Sequence, residues 1–90
     1  MDFRTHDKIM MKDPAFRKAW EKTRVEHEVA RALISARIKS KMTQAQLAKR
    51  MKTKQSVISR VENAQTKPTL SFMQRLADAL GGKLKVSLEV

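Results

Sequence analysis

"MTQAQLAKRMKTKQSVISRVENAQTKP", residues 42–68, is the stretch that decides the fold. It holds two short runs of helical periodicity separated by Met51-Lys52-Thr53. A helix below about 12 residues is marginal in water by itself. The two runs must therefore pack on each other and on something else, at a steep angle, because the connector is so short. Thr43 opens the first run as an N-cap. Gln46, three residues on, completes a Thr-x-x-Gln capping box, and Met42 and Leu47 stand where a hydrophobic staple closes. Leu47, Ala48 and Met51 form the apolar edge. Thr53 is placed to cap the second run, Lys54 to Glu62, with Val57, Ile58 and Val61 inward. Asn63 to Pro68 reads as a loop.

Working outward, Thr69 caps a helix from Leu70 to Leu80, with Leu70, Met73, Leu76, Ala77 and Leu80 at helical spacing. Gly81-Gly82 stops it, since glycine takes the left-handed conformation after a helix without strain. Upstream, Asp13-Pro14 reads as a helix start, because Pro lacks an N–H where none is needed. Phe16, Ala19, Trp20, Thr23, His27, Ala30, Ile34 and Ile38 share one face of the long segment that follows. Val25, Val29 and Leu33 fall to the side. Two helices, about 14–24 and 26–40, or one bent helix, are expected, with the change near Thr23 to Glu26. The last eight residues, "KLKVSLEV", alternate strictly. Leu84, Val86, Leu88 and Val90 lie on one side, and Lys83, Lys85, Ser87 and Glu89 on the other, which is the pattern of a strand with one buried face. A lone strand leaves its backbone unpaired, and an antiparallel partner from a second subunit is the simplest solution. The expected fold is all-α, five helices with one short C-terminal strand that pairs in a dimer.

Ninety residues suggest one domain with one small core. The absence of cysteine excludes disulfides, thiolate zinc sites and cysteine nucleophiles. No apolar run reaches the roughly 18 residues of a membrane span, and the start, "MDFRTHDKIMMKDPAF", lacks the apolar stretch of a secretory signal. A cytoplasmic location fits both. The net charge is +11, so the natural partner is a polyanion, either nucleic acid or an anionic membrane surface. Residues 42–67 carry Lys49, Arg50, Lys52, Lys54, Arg60 and Lys67 against Glu62 alone.

Two short helices meeting through a tight turn, then a loop and another helix, describe a helix-turn-helix. Its second helix leaves Lys54, Gln55, Ser56, Ser59 and Arg60 on the outer face, side chains that bond base edges and phosphates. Here the chain resembles a known family. "TQAQLAKRMKTKQSVISRVENAQTKPTLSFMQRLADALGG" is similar to the phage-repressor-like, XRE-type DNA-binding domain. The resemblance rests on Thr43-Gln44, Leu47-Ala48, Gln55-Ser56, Ile58-Ser59-Arg60, Glu62-Asn63, Pro68 and Leu76-Ala77, and spans about 29–82. Two positions depart from the family pattern. Lys52 stands in the turn and Ala64 follows Glu62-Asn63 where the family favours glycine. A non-glycine residue held left-handed costs on the order of 1 kcal/mol.

Over the whole chain, "DPAFRKAWEKTRVEHEVARALISARIKSKMTQAQLA" and the alternating end resemble HigA-type antitoxins. That resemblance implies a partner toxin, a small mRNA-cleaving protein of the RelE/HigB-like kind, and a dimer that represses its own operon. The chain then divides into an N-terminal extension and helix (1–28) that takes the toxin, a DNA-binding domain (29–82) and a dimerisation strand (83–90).

The candidate residues follow. Base contacts fall to Gln55, Ser56 and Arg60 with Lys54 and Ser59, since Gln pairs with adenine and Arg with guanine. Phosphate contacts fall to Thr43, Gln44, Asn63 and Lys67. Phe16, Trp20 and Glu21 are toxin-binding candidates, although core packing explains the two aromatics as well. Leu84, Val86, Leu88 and Val90 serve dimerisation. His6 and His27 make no metal set, and no serine has a histidine–acid partnership, so neither a metal, a cofactor nor an enzyme is expected. Two other functions remain open beside the antitoxin: a stand-alone XRE-type regulator and a basic membrane-surface module.

Overall fold

Asp13 accepts a hydrogen bond from the Ala15 N–H at 2.9 Å, and Pro14 occupies the first helical position. The chain is seen here as a computed structural model that describes residues 13–90. The charged start, with Asp2, His6 and Asp7, lies outside the described residues. Five helices follow one another: α1 (Pro14–Lys22), α2 (Arg24–Lys39), α3 (Gln44–Arg50), α4 (Gln55–Glu62) and α5 (Leu70–Ala79). The fold is all-α, as expected. The break between α1 and α2 falls on Thr23, the single non-helical residue between them, inside the predicted window.

Leu33 of α2, Leu47, Ala48 and Met51 of α3 and its end, Ile58 and Val61 of α4, and Leu76 of α5 make one buried cluster. Burying a branched apolar side chain of this size stabilises by roughly 1.5–3 kcal/mol. The recognition unit is thus welded to α2 and α5 through its inward face. Two arginines hold its outer corner. Arg50 Nη1 donates to the Ala79 carbonyl at 3.0 Å, and Arg75 Nη2 donates to the Met51 carbonyl, so the ends of α3 and α5 are tied by guanidinium groups.

The capping box at Thr43 is complete. Gln46 N–H donates to Thr43 Oγ1 at 3.1 Å, and Thr43 N–H donates to Gln46 Oε1 at 2.9 Å. Thr69 caps α5 as predicted, accepting from the Phe72 N–H at 3.1 Å. Thr53 does not cap α4. Lys54 is the N-cap, with no side-chain hydrogen bond, and Thr53 belongs to the closure of α3, its N–H donating to the Ala48 carbonyl at 2.9 Å.

Four helix ends share one closing motif. After α2, α3, α4 and α5 the chain turns left-handed at Lys41 (φ 58°), Lys52 (φ 56°), Ala64 (φ 57°) and Gly81 (φ 73°). The next residue's N–H then reaches back to the carbonyl of Arg37, Ala48, Arg60 or Ala77, at 2.9–3.1 Å. This is the Schellman arrangement, which satisfies otherwise orphaned carbonyls. Only the last of the four uses glycine.

Four expectations need correction. The buried face of α2 is Glu26, Ala30 and Leu33, with Val29 half-buried beside them. The stripe read from Phe16 to Ile38 shares only Ala30 with that face: Thr23, His27 and Ile34 are half-buried and Ile38 is exposed. α4 packs against the Leu33 side, and that contact selects the face. None of α1 is buried, so Phe16 and Trp20 are not core residues. Leu70, expected inward, is exposed. Finally, residues 83–90 form no strand in the single chain. A strand exists only where a ladder partner supplies the hydrogen bonds, and no described segment pairs with them.

Candidate nucleic-acid interface

The turn from Met51 to Lys54 sets α4 across α3 with its N-terminal end outward. Lys54, Gln55 and Ser56 occupy that end and are exposed. Arg60 lies one turn beyond Ser56 on the same face and is also exposed. Ser59, between them, is half-buried, and its Oγ accepts from Asn63 Nδ2 at 3.3 Å. The fold therefore brings four of the five predicted base-contacting residues to an open surface and turns the fifth partly inward.

The predicted phosphate set divides. Thr43 and Lys67 are exposed, and Asn63 is exposed with its amide engaged to Ser59. The Thr43 hydroxyl oxygen serves the capping box. Gln44 is half-buried, and its Nε2 donates to Glu62 Oε1 at 3.0 Å. Its side chain is thus occupied within the fold.

Sequence reasoning missed the device that aims this surface. Glu62, the lone acid among the bases of 42–67, is the last residue of α4. Arg37 of α2 donates to it twice, Nε to Oε2 at 2.6 Å and Nη2 to Oε1 at 3.1 Å, and gives Nη1 to the Met42 carbonyl at 2.9 Å. With Gln44 added, one carboxylate joins α2, the α2–α3 connection, α3 and α4. The pair is largely buried, with side-chain exposures of 16% and 6%. A fork-to-fork guanidinium–carboxylate pair fixes orientation as well as distance. Glu62 raises the Arg37 pKa, chiefly through this hydrogen bond, against the opposing effect of burial. A raised folded-state pKa contributes stability that is complete below the ordinary arginine value and is lost only as pH rises through the raised one. On the Arg37 side the clamp is therefore lost only at strongly alkaline pH. A lone acid in a cationic stretch signals a hidden partner, but nothing in spacing points to Arg37, 25 residues upstream.

α1 stands apart from this site. Trp20 stacks on His27 with ring centroids 4.2 Å apart and on Phe16 at 6.3 Å, and the Arg31 guanidinium lies 5.4 Å from the Trp20 ring centre. His27 Nδ1 is 2.8 Å from the Thr23 carbonyl. Glu21 is exposed on the same helix. Among the described residues no group of three or more His, Cys, Asp or Glu is arranged to hold a metal ion, and no helix is long and apolar enough to cross a membrane.

A family model described as helix-turn-helix matches residues 33–86, more than half of the chain. No curated protein and no solved structure matches it. The chain belongs to the helix-turn-helix family of phage-repressor-like, XRE type, whose members are DNA-binding regulators.

Proposed function

We propose that this DNA-binding protein is the antitoxin of a toxin–antitoxin pair, which represses its own operon as a dimer and neutralises a RelE/HigB-like mRNA-cleaving toxin. Gln55, Ser56 and Arg60, with Lys54 and Ser59, read bases in the major groove. Thr43, Asn63 and Lys67 meet phosphates, and Gln44 supports α4 through Glu62. The resemblance of the whole chain to HigA-type antitoxins supports the toxin partner. The observation that carries the division of labour is the position of α1. None of its residues is fully buried, and its half-buried Phe16–Trp20 pair, with Trp20 resting on His27 and Arg31 of α2, stands on the same helix as exposed Glu21. Aromatic side chains dominate interface hot spots.

Two measurements test this. Fluorescence anisotropy on the duplex upstream of the chain's own reading frame should show tight binding that a scrambled duplex and anionic vesicles do not match. Equal binding to all three ends the repressor proposal and favours a basic surface module. Co-expression with the product of the adjacent reading frame should give a complex that survives purification and is lost on deleting residues 1–24. Sequence-specific DNA binding without a copurifying neighbour identifies a stand-alone regulator instead.

A further inference from the structure

DNA binding leaves one groove unexplained. It lies between the N-terminal half of α2, the loop before α5 and residues 84–87, and encloses about 510 Å³. Val25, Val29, Leu70, Met73, Leu84 and Val86 line it. Val25, Leu70 and Val86 are 58%, 69% and 70% exposed, an apolar cluster of the kind that marks an interaction site. Glu26 lines the same groove. It is only 8% exposed, and its Oε1 has no hydrogen-bond donor. A buried carboxylate oxygen without a donor is costly, and such atoms are rare in folded proteins. Lys67 and Lys85 also line the groove, yet neither forms an ion pair with Glu26. The groove is therefore mostly apolar, with exposed Glu28, Lys67 and Lys85 among its lining and one buried acceptor, Glu26 Oε1, still without a donor. A phosphate backbone cannot fill that role, because it brings only acceptors and negative charge.

The adjoining chain segment has the complementary chemistry. Residues 84–87 form one wall, and the segment continues to Leu88 and Val90, both fully open to solvent. Its alternation sets Leu84, Val86 and Leu88 between Lys83, Lys85 and Ser87. An extended copy laid beside it would offer apolar side chains to the walls, and backbone N–H groups and ammonium groups to the acid. An unpaired extended edge is a template for such addition. Two chains that each carry +11 repel. A buried acid at their joint offsets part of that repulsion.

We propose that this groove seats the C-terminal segment of a second copy of the chain, which brings a hydrogen-bond donor to Glu26 Oε1 and so completes the site. The inference rests on the dimer proposed above and adds to it the surface that receives the partner. Glu26 then has opposite effects in the two states: it weakens the free subunit and strengthens the dimer.

Sedimentation velocity on the full chain over a dilution series from about 1 to 100 μM, which spans the dissociation of a micromolar dimer, tests this. Wild type should sediment as a dimer. Glu26→Leu should weaken dimerisation by about tenfold or more, the scale of a lost hydrogen bond to a charged group. Its dilute monomer should nonetheless melt no lower than that of wild type. Val25→Lys, on the exposed rim, should abolish the dimer with the far-ultraviolet helix signal unchanged, and it decides the matter if Glu26→Leu does not fold. Variants that dimerise within about twofold of wild type overturn the groove as the seat while leaving a strand-paired dimer standing. A monomeric wild type overturns both and assigns the groove to a different protein.

Discussion

Replacing Arg37 by Met tests whether one buried ion pair aims the recognition helix. Met matches the arginine stem in length and apolar character, so the main change is the loss of three donors. Glu62 would then keep only the Gln44 amide as a partner while remaining almost wholly buried. Breaking a buried pair from one side costs about 3–5 kcal/mol, because the remaining charge is stranded away from water. The Met42 carbonyl also loses its bond to Nη1, which adds about 1 kcal/mol. For a domain of this size each kcal/mol moves the melting temperature by about 4–8 °C. Arg37→Met should therefore lower it by at least about 12 °C, taking the low end of both ranges.

The double variant Arg37→Met/Glu62→Leu separates the two roles of the pair. With both charges gone, no ion is stranded, and apolar replacement of a buried pair is often neutral. The double variant should melt well above either single variant. Its affinity for a duplex should still fall by about tenfold, since the C-terminal end of α4 loses its polar tie to α2 and α3 while the apolar packing remains, and that end must be ordered on binding. Thermal unfolding by circular dichroism and fluorescence anisotropy on the same samples give both quantities. An Arg37→Met cost below about 1 kcal/mol, or a double variant as unstable as the two single losses added, refutes the stranded charge as the cause.

Lys52→Gly and Ala64→Gly should each stabilise the fold by up to about 1 kcal/mol, raising the midpoint of thermal unfolding by about 4 °C, since both positions are left-handed and a Cβ is strained there. A fall in either midpoint means that the flexibility glycine adds to the unfolded chain outweighs that strain. Arg60→Ala should relax sequence preference, whereas Lys67→Ala should weaken all duplexes alike and reduce the salt dependence by about one ion. Equal effects of the two on specific and non-specific binding would contradict that division. A chain ending at Gly82 should keep its helices but become monomeric in sedimentation and lose tight binding to an upstream duplex. A dimeric truncation places the interface elsewhere.

The parts of this fold that were legible in the sequence are those decided within a few residues. The Thr43 box, the Thr69 cap and the Asp13-Pro14 start all follow from short-range hydrogen bonds, and all stand as expected. Errors began where two local choices compete or where a distant element decides. Thr53 was a plausible cap, but it belongs to the closure of α3, and α4 starts one residue later. α2 offered apolar residues on two adjoining faces, and only the approach of α4 and α5 to Leu33 selects between them. The Arg37–Glu62 clamp bridges a long sequence separation and has no periodic signature, so what holds α4 in place was invisible, although its exposed face was not. The C-terminal segment is the limiting case. A period of two states which side chains share a face, but the hydrogen bonds that make a strand belong to whatever lies beside it. Among the described residues no segment pairs with 84–90 in a ladder, while the groove they border holds a buried carboxylate oxygen with no donor. A segment with unpaired donors and a site with an unpaired acceptor are both satisfied at once when two copies meet.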